Sequence, residues 1–502
     1  MGEQEREEGH GVADDRSAVG GGARRATALP RELVVVATLA WLALFAVKLV
    51  SAPSTDARIA AMDEPATTAS RMIERPFEVA AVVVADAPSL EGIERFFGAS
   101  ATGPLGLPTD GLAGIGAVLA RAARDVTAAS LAAREADDDE TATRLAAEAA
   151  TLAARATIVA AAAGAPAPDL EPHLFGGVAP FPAGRELAGE LRVRATGAER
   201  TSGTDAIDPR LAGLPELLVL EARDELPPTR EWAAKDAADT AIGLLLTVSA
   251  LAPFALVALL VLVLAQRRFP ADPPPMSSRL EAFDGWGAFA LGQLGFLVLG
   301  TLLALAGAGG LTGATVATTS VPIALFALAA AGWRRGVPGS LAAAVPRLGL
   351  DTRTSTVLRA LVFGAAVVPM IWFGVVAISQ VGVAETSPWS SPYIDMAITG
   401  GVDTWRRMAL EAGVAAPIFE ELAFRGVLFA ALRSRMGFAP AALVSSIVFG
   451  LQHPYDLAGV LVVTWIGFVL AWLYERTGSL IACMVAHAVY NLSSLAITLV
   501  LL

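Results

Sequence analysis

The residues that could do chemistry in this sequence fall in three short patterns, each set in an apolar run. The first is Glu420-Glu421-Leu422-Ala423-Phe424-Arg425, inside a stretch from about Met408 to Leu432 that otherwise reads as a membrane helix. Charged side chains at the centre of a bilayer cost roughly 2.5–3.5 kcal/mol each on the mildest insertion scale, so they persist where they face a bundle interior or a wet cavity and find partners. The second pattern is Phe449-Gly450-Leu451-Gln452-His453 and the third is His487-Ala488-Val489-Tyr490-Asn491. On a helix, Glu421 and Arg425 are an i,i+4 pair and share a face. Glu420 is turned from that face by about 100° and is not neutralised by the pair. His487 and Asn491 also project together, and His453 falls one turn after Phe449, near the outer end of its span.

These residue types suit hydrolysis. An unpaired carboxylate in a poorly solvated site is a good general base for water, and an imidazole beside it can hold the same water. A second imidazole and an amide can donate to a developing oxyanion. The bland alternative is interhelical polar glue, worth about 0.6 kcal/mol per contact. Glue does not call for two adjacent carboxylates. A zinc reading uses Glu420, His453 and His487 as three ligands with one position open. It is disfavoured because no His-Glu-x-x-His helix is present, and because Asn491 is a poor zinc ligand but a good amide donor. No cofactor is expected, with zinc as the alternative. The single cysteine, Cys483, excludes a disulfide framework and a Cys-based metal site.

The elements that must position these groups are mostly membrane spans. The chain has 502 residues, of which 54% are hydrophobic, too apolar for an ordinary soluble protein of this length. Residues 1–30 are polar and Gly-rich and read as a disordered tail. Leu33 to Val50 holds one charge, Lys48, and suits an uncleaved anchor over 31–51, although Val50-Ser51-Ala52 resembles a signal-peptide cleavage site. Residues 52–238 are a soluble insert. They hold 29 Asp/Glu against 17 Lys/Arg, which accounts for the whole net charge of −12 and argues against a nucleic-acid partner. Within the insert, 111–136 and 140–163 predict a helical hairpin around Asp137-Asp138-Asp139-Glu140, an acidic run read as a solvated turn. Glu78 to Ala87 and Leu217 to Glu221 predict strands. His173 lies in a Pro- and Gly-rich loop and is assigned no role.

From Asp239 onward, spans are expected at about 239–266, 286–308, 313–333, 357–381, 406–432, 438–454, 457–474 and 479–501. With the anchor these make nine. The fold expected is an all-α polytopic membrane protein with an α-rich, minor-β soluble domain inserted after the first helix. Its parts are the tail, the anchor, the 52–238 domain, spans two to four over 239–354, and a bundle over 355–502. Arginines gather in alternate loops, at 267, 268 and 279, then 334, 335, 347 and 353, then 433 and 435, then 476. By the positive-inside rule these loops and the N-terminus are cytoplasmic, and 52–238 is extracytoplasmic. Arg406 and Arg407 are the exception and are expected to snorkel to the outer interface.

Glu-Glu-x-x-x-Arg, Phe-x-x-x-His and His-x-x-x-Asn on successive membrane helices resemble the three motifs of the CAAX prenyl protease and bacteriocin-processing (CPBP) intramembrane proteases. Glu475-Arg476-Thr477-Gly478-Ser479-Leu480 is similar to the turn before that family's last motif helix. The resemblance covers about 355–502. It implies a helix bundle around a buried hydrolytic cavity and cleavage of a peptide bond in a membrane-associated protein or peptide. By position it implies that Glu420 and His453 activate water, that His487 and Asn491 form the oxyanion hole, and that Glu421, Arg425 and Phe449 support them. The Ala- and Arg-rich, Lys-poor usage suggests a bacterial source, hence an inner-membrane protein, and argues against prenylated substrates. Two other readings stay open: a membrane protein that binds or sequesters a peptide, with 52–238 meeting an extracytoplasmic partner, and a proton-coupled transporter.

Overall fold

The computed structural model describes residues 29–50, 54–86, 109–165, 214–222, 282–305, 354–380, 401–453 and 457–501, with isolated positions between them. Every regular element among the described residues is helical. The expected span at 313–333, most of that at 239–266, most of the N-terminal tail and His173 lie outside the described residues.

The amino-terminal domain begins after α1 (Arg31–Val50). It contains α2 (Thr55–Ala60), α3 (Pro65–Asp86), α4 (Thr109–Glu135), α5 (Asp139–Ala162) and α6 (Leu214–Ala222). The α4–α5 hairpin forms as expected. Asp137 turns the chain at φ 60°, and Asp138 caps α5 by accepting from the Thr141 amide at 3.1 Å. Asp139 and Glu140 then sit in the first turn, where negative charge favours the helix dipole. Alanines along both helices let them approach closely and bury a continuous apolar seam.

Both expected strands are helices. Glu78 to Asp86, the described part of the first, continues the helix that starts at Pro65. The reason is visible in its acids: Glu74 and Glu78, one turn apart and both buried, are used from one side. Glu74 accepts from Arg155 Nε of α5 at 2.7 Å, and Glu78 accepts from the Leu214 amide at 2.8 Å. Tertiary partners at helical spacing thus override the β-branched valines. Leu217 to Glu221 falls in α6, which buries Leu214, Leu217 and Leu218 on one helical stripe.

The bundle contains α7 (Ala282–Leu305), α8 (Thr354–Gln380), α9 (residues 401–433), α10 (Phe438–Leu451), α11 (Leu457–Thr477) and α12 (Leu480–Leu501). Four described helices are long and apolar enough to cross a membrane: Asp139–Ala162, Val357–Ile378, Leu457–Thr477 and Leu480–Leu499. The first owes its hydropathy to alanine. It is α5, packed in the amino-terminal domain, where Arg144 binds the carbonyls that end α2.

The bundle has two recognisable ends. At one end Arg433 of α9 pairs with Glu475 of α11 at 2.9 Å, and the Leu480 amide donates to the Gly349 carbonyl. Gly349 needs φ 78°, and an added Cβ would stand 2.2 Å from the Gly478 carbonyl oxygen. The helices α8, α10 and α12 start at this end. Their far ends, the start of α9 and the α10–α11 turn with His453 lie at the other. There Trp389, from the connection between α8 and α9, is buried in the core of the amino-terminal domain. Its indole nitrogen donates to Asp125 of α4 at 3.0 Å, and its carbonyl accepts from Arg58 at 3.5 Å.

Helix α1 is part of the bundle as well. The Leu29 amide before it donates to Asp284 of α7 at 3.1 Å, and Thr38 accepts from the Trp286 indole at 2.9 Å. Trp41 meets Phe289 edge-on, Phe289 meets Phe424 of α9, and Phe424 meets Phe449 of α10. A line of aromatic contacts therefore runs from the first helix to the motif residues.

Candidate active site

Helix α9 changes its winding around the two glutamates. A π segment, Glu411–Ala415, precedes the α turn Ala416–Glu421, and a second π segment, Leu422–Phe429, follows it. Such insertions cluster at functional sites because they shift backbone carbonyls out of the regular ladder. Here the Ala412 carbonyl accepts the Asn491 amide of α12 at 2.9 Å.

Glu421 is fully buried, and Arg425 is 1% exposed. The expected pair forms, Arg425 Nη1 donating to Glu421 Oε1 at 3.1 Å. The other arm of the guanidinium donates to the Gly467 carbonyl of α11 at 3.0 Å. Its Cζ lies 4.6 Å from the centre of the Phe449 ring, a cation–π contact that works best when desolvated. Gly467 allows this approach, since a Cβ there would stand 3.1 Å from the Ser446 Cβ and 3.2 Å from the Phe449 ring. The glycine in that apolar span was the signal for a close helix contact. Nothing in the side-chain pattern announced that its carbonyl would hold Arg425.

His487 is buried beside both carboxylates. Its Nδ1 hydrogen-bonds Glu421 Oε1 at 2.9 Å, and its Nε2 lies 3.9 Å from Glu420 Oε2. The Glu421 carboxylate, held by Arg425, acts as an acceptor, so the imidazole proton belongs on Nδ1 and Nε2 faces Glu420. Glu420 differs from its neighbour in keeping 26% of its side-chain surface. One oxygen of Glu421, Oε2, is buried without a hydrogen-bond partner among the described residues.

His453 sits at the end of α10, where its Nδ1 donates to the Phe449 carbonyl at 2.9 Å. A carbonyl can only accept, so this fixes the tautomer and leaves Nε2 as an acceptor. The Phe449 ring touches both imidazoles edge-on, with centroid distances of 5.0 Å to His453 and 6.1 Å to His487. Phe449 thus joins the three motif helices. The structure brings Glu420, Glu421, Arg425, His487 and Phe449 into one contact network. It places Asn491 one turn beyond His487 on α12, and His453 against the Phe449 ring. Among the described residues no three His, Cys, Asp or Glu side chains are disposed to hold a metal ion. Glu420, His453 and His487 do not meet as such a group.

Residues 404–493 match the model of the family described as type II CAAX prenyl endopeptidase Rce1-like. A Bacillus subtilis (strain 168) protein named "Putative membrane peptidase YdiL" is 38% identical over 84 residues, which is 17% of this chain. The matched stretch spans 34% of that relative, about a third of its length. No solved structure matches the chain. The stretch matched to that family begins within α9 and ends within α12, so it contains every site residue named above and leaves out α1, α7, α8 and the amino-terminal domain. With its apolar helices and its match to a membrane protease family, the chain is an integral membrane protein.

Proposed function

We propose that the chain is an intramembrane endopeptidase that hydrolyses a peptide bond in a membrane-associated protein or peptide. The observation that carries this reading is the division of labour between adjacent glutamates. Glu421 is held by Arg425 and orients His487, whereas Glu420 is partly exposed and lies 3.9 Å from the free nitrogen of the same imidazole. That separation is too long for a direct hydrogen bond and suits one water bridging the two groups.

In this reading Glu420 takes a proton from the water as its oxygen attacks the scissile carbonyl carbon. His453 Nε2 accepts the other hydrogen of that water and aims its lone pair. The tetrahedral oxyanion receives the second amide hydrogen of Asn491, the first being held by Ala412. His487 Nε2 donates to it once it has received the proton from Glu420. As the C–N bond breaks, that proton passes to the leaving amine, and the acid product carries the water oxygen. The proposed membrane is the bacterial inner membrane, with the N-terminus cytoplasmic and 52–238 extracytoplasmic. The sequestration reading has no need of this proton path.

The test is comparative proteomics of membranes and medium from cells expressing the wild type or Glu420→Gln. The amide keeps the shape and removes the base. Peptides present with the wild type and missing with the variant, at equal protein abundance, are the expected result. Identical peptide sets would refute the assignment of the base.

A further inference from the structure

Resting on that peptidase reading, we infer that Trp372 of α8 is a positioning residue for Asn491, and through it for the proposed oxyanion site. Trp372 lies outside the stretch matched to the family, which begins at residue 404. Its indole nitrogen donates to Ser493 Oγ of α12 at 3.0 Å, and the Ser493 hydroxyl donates to the Tyr490 carbonyl at 2.8 Å. The Trp372 ring also packs on the Tyr490 ring, with centroids 5.2 Å apart. Tyr490 and Ser493 share a face of α12 one turn apart and flank Asn491 in the chain. One indole therefore grips both sides of the turn that presents the amide.

A second contact fixes the register of the same two helices. Gly364 of α8 lies so close to α12 that an added Cβ would stand 2.6 Å from the Ala482 carbonyl oxygen and 2.9 Å from the Val485 Cβ. Trp372 meets Tyr490 and Ser493 eight residues further along both helices. Contacts that repeat at the same interval on two parallel helices resist sliding as well as rotation. At this level α8 is itself held by α11, whose Trp465 indole donates to the Ile371 carbonyl at 3.2 Å. Another face of α12 meets the first π segment of α9. There the Ala412 carbonyl takes one Asn491 amide hydrogen, and Gly413 leaves room for the tip of Leu492, which lies 2.8 Å from where a Cβ would stand. The terminal torsion of an asparagine is broad by itself, so the stance of the helix aims the second amide hydrogen. An oxyanion donor works over about 2.7–3.1 Å, and a misplacement of about 1 Å can cost about a hundredfold in rate. His487 is tied directly to Glu421 and needs this grip less.

Asn491 is the only asparagine in the sequence, so full-length protein carrying asparagine labelled with nitrogen-15 in its side chain offers one amide group to follow by NMR, with no substrate needed. Trp372→Leu and Ser493→Ala should each move that resonance and quicken its exchange with water. Trp372→Phe keeps the ring and should move it less, and Ser493→Thr keeps a hydroxyl and should stay near the wild type. Turnover is then measured on a peptide spanning a bond that the wild type cuts and Glu420→Gln spares. Trp372→Leu should lower kcat about tenfold with KM little changed, within the range that a small misplacement costs. Introduced into Asn491→Ala, the same change should cost nothing further, because the two act on one donor. An unmoved resonance in both Trp372→Leu and Ser493→Ala would overturn the inference. So would an equal loss of kcat in the two backgrounds, which is what a merely structural tryptophan predicts. If Trp372→Leu fails to accumulate, Ser493→Ala decides in its place. A wild type that cuts no bond spared by Glu420→Gln would instead overturn the peptidase reading, and the resonance would still judge the grip on Asn491.

Discussion

Arg425 offers the sharpest stability test, because three separate contacts converge on one buried guanidinium. Removing it as Arg425→Ala leaves Glu421, fully buried, with His487 as its remaining partner and with Oε2 already unsatisfied. Breaking a buried pair by deleting one partner costs about 3–5 kcal/mol. The Gly467 carbonyl also loses this second donor but keeps its own helix hydrogen bond, so it adds less than a fully orphaned acceptor would. These terms share one side chain and do not add. Even the lower figure is a large part of a net stability of about 5–15 kcal/mol. Arg425→Lys keeps the charge but not the planar fork, so it can serve Glu421 or Gly467 and should fall between. Replacing both partners, as Glu421→Leu with Arg425→Leu, should recover much of the stability while leaving His487 unoriented and the enzyme inactive. The assay is thermal unfolding of purified protein in detergent, with membrane abundance measured alongside. An Arg425→Ala protein as stable as the wild type would refute the claim that this pair is a buried structural unit.

Three further outcomes follow from the same geometry. Asn491→Ala should lower turnover by roughly 10²–10³ with substrate binding little changed, as loss of one oxyanion donor does elsewhere; stoichiometric zinc with chelator-reversible loss of activity, measured on the same preparation, would favour the metal alternative. Reporters fused within 267–285 or 334–356 should score as cytoplasmic and one within 100–200 as external, and an external score for the 334–356 loop would reject the proposed orientation. The Thr141 hydroxyl and amide hold the Asp138 carboxyl below its usual range; its contribution to α5 is therefore present above the ordinary carboxylate pKa and lost as pH falls through the lowered one, and the protection of amides at the start of α5, relative to intrinsic exchange at the same pH, should fall at acid pH in the wild type but not in Asp138→Ala.

The parts legible in the sequence were those with a local cause. The i,i+4 spacing of Glu421 and Arg425 gave their pair, and the acidic run at 137–140 gave the turn and cap of the α4–α5 hairpin. The helices α8, α10, α11 and α12 lie where the apolar runs placed them, within a few residues. What stayed hidden depended on distant partners. The valine-rich run after Glu78 looked like a strand because its pattern is local, while the acids that make it a helix are satisfied from α5 and α6. The π segments of α9 leave no compositional trace, and neither does the Gly467 carbonyl. Trp389 had no visible destination, since its partner Asp125 is 264 residues away in sequence.

The adjacent glutamates show why the same hydrophobic pattern can carry both structure and chemistry. Two carboxylates one residue apart on a helix point in directions about 100° apart, so a single cation cannot serve both. Arg425, one turn on, selects Glu421, and the second π segment carries the guanidinium to Gly467 and the face of Phe449. That choice leaves Glu420 as the group with surface. It also sets His487, because a carboxylate fixed by an arginine can only accept, which turns the free imidazole nitrogen toward Glu420. In the proposed mechanism the structural pair therefore orients the reactive one. A substitution at Glu421 should consequently act on the pH profile of turnover as well as on stability, whereas a substitution at Glu420 acts on turnover with the fold intact. If Glu421→Gln were to lower stability and leave the pH profile where it was, His487 would owe its orientation to packing against Phe449 rather than to the carboxylate.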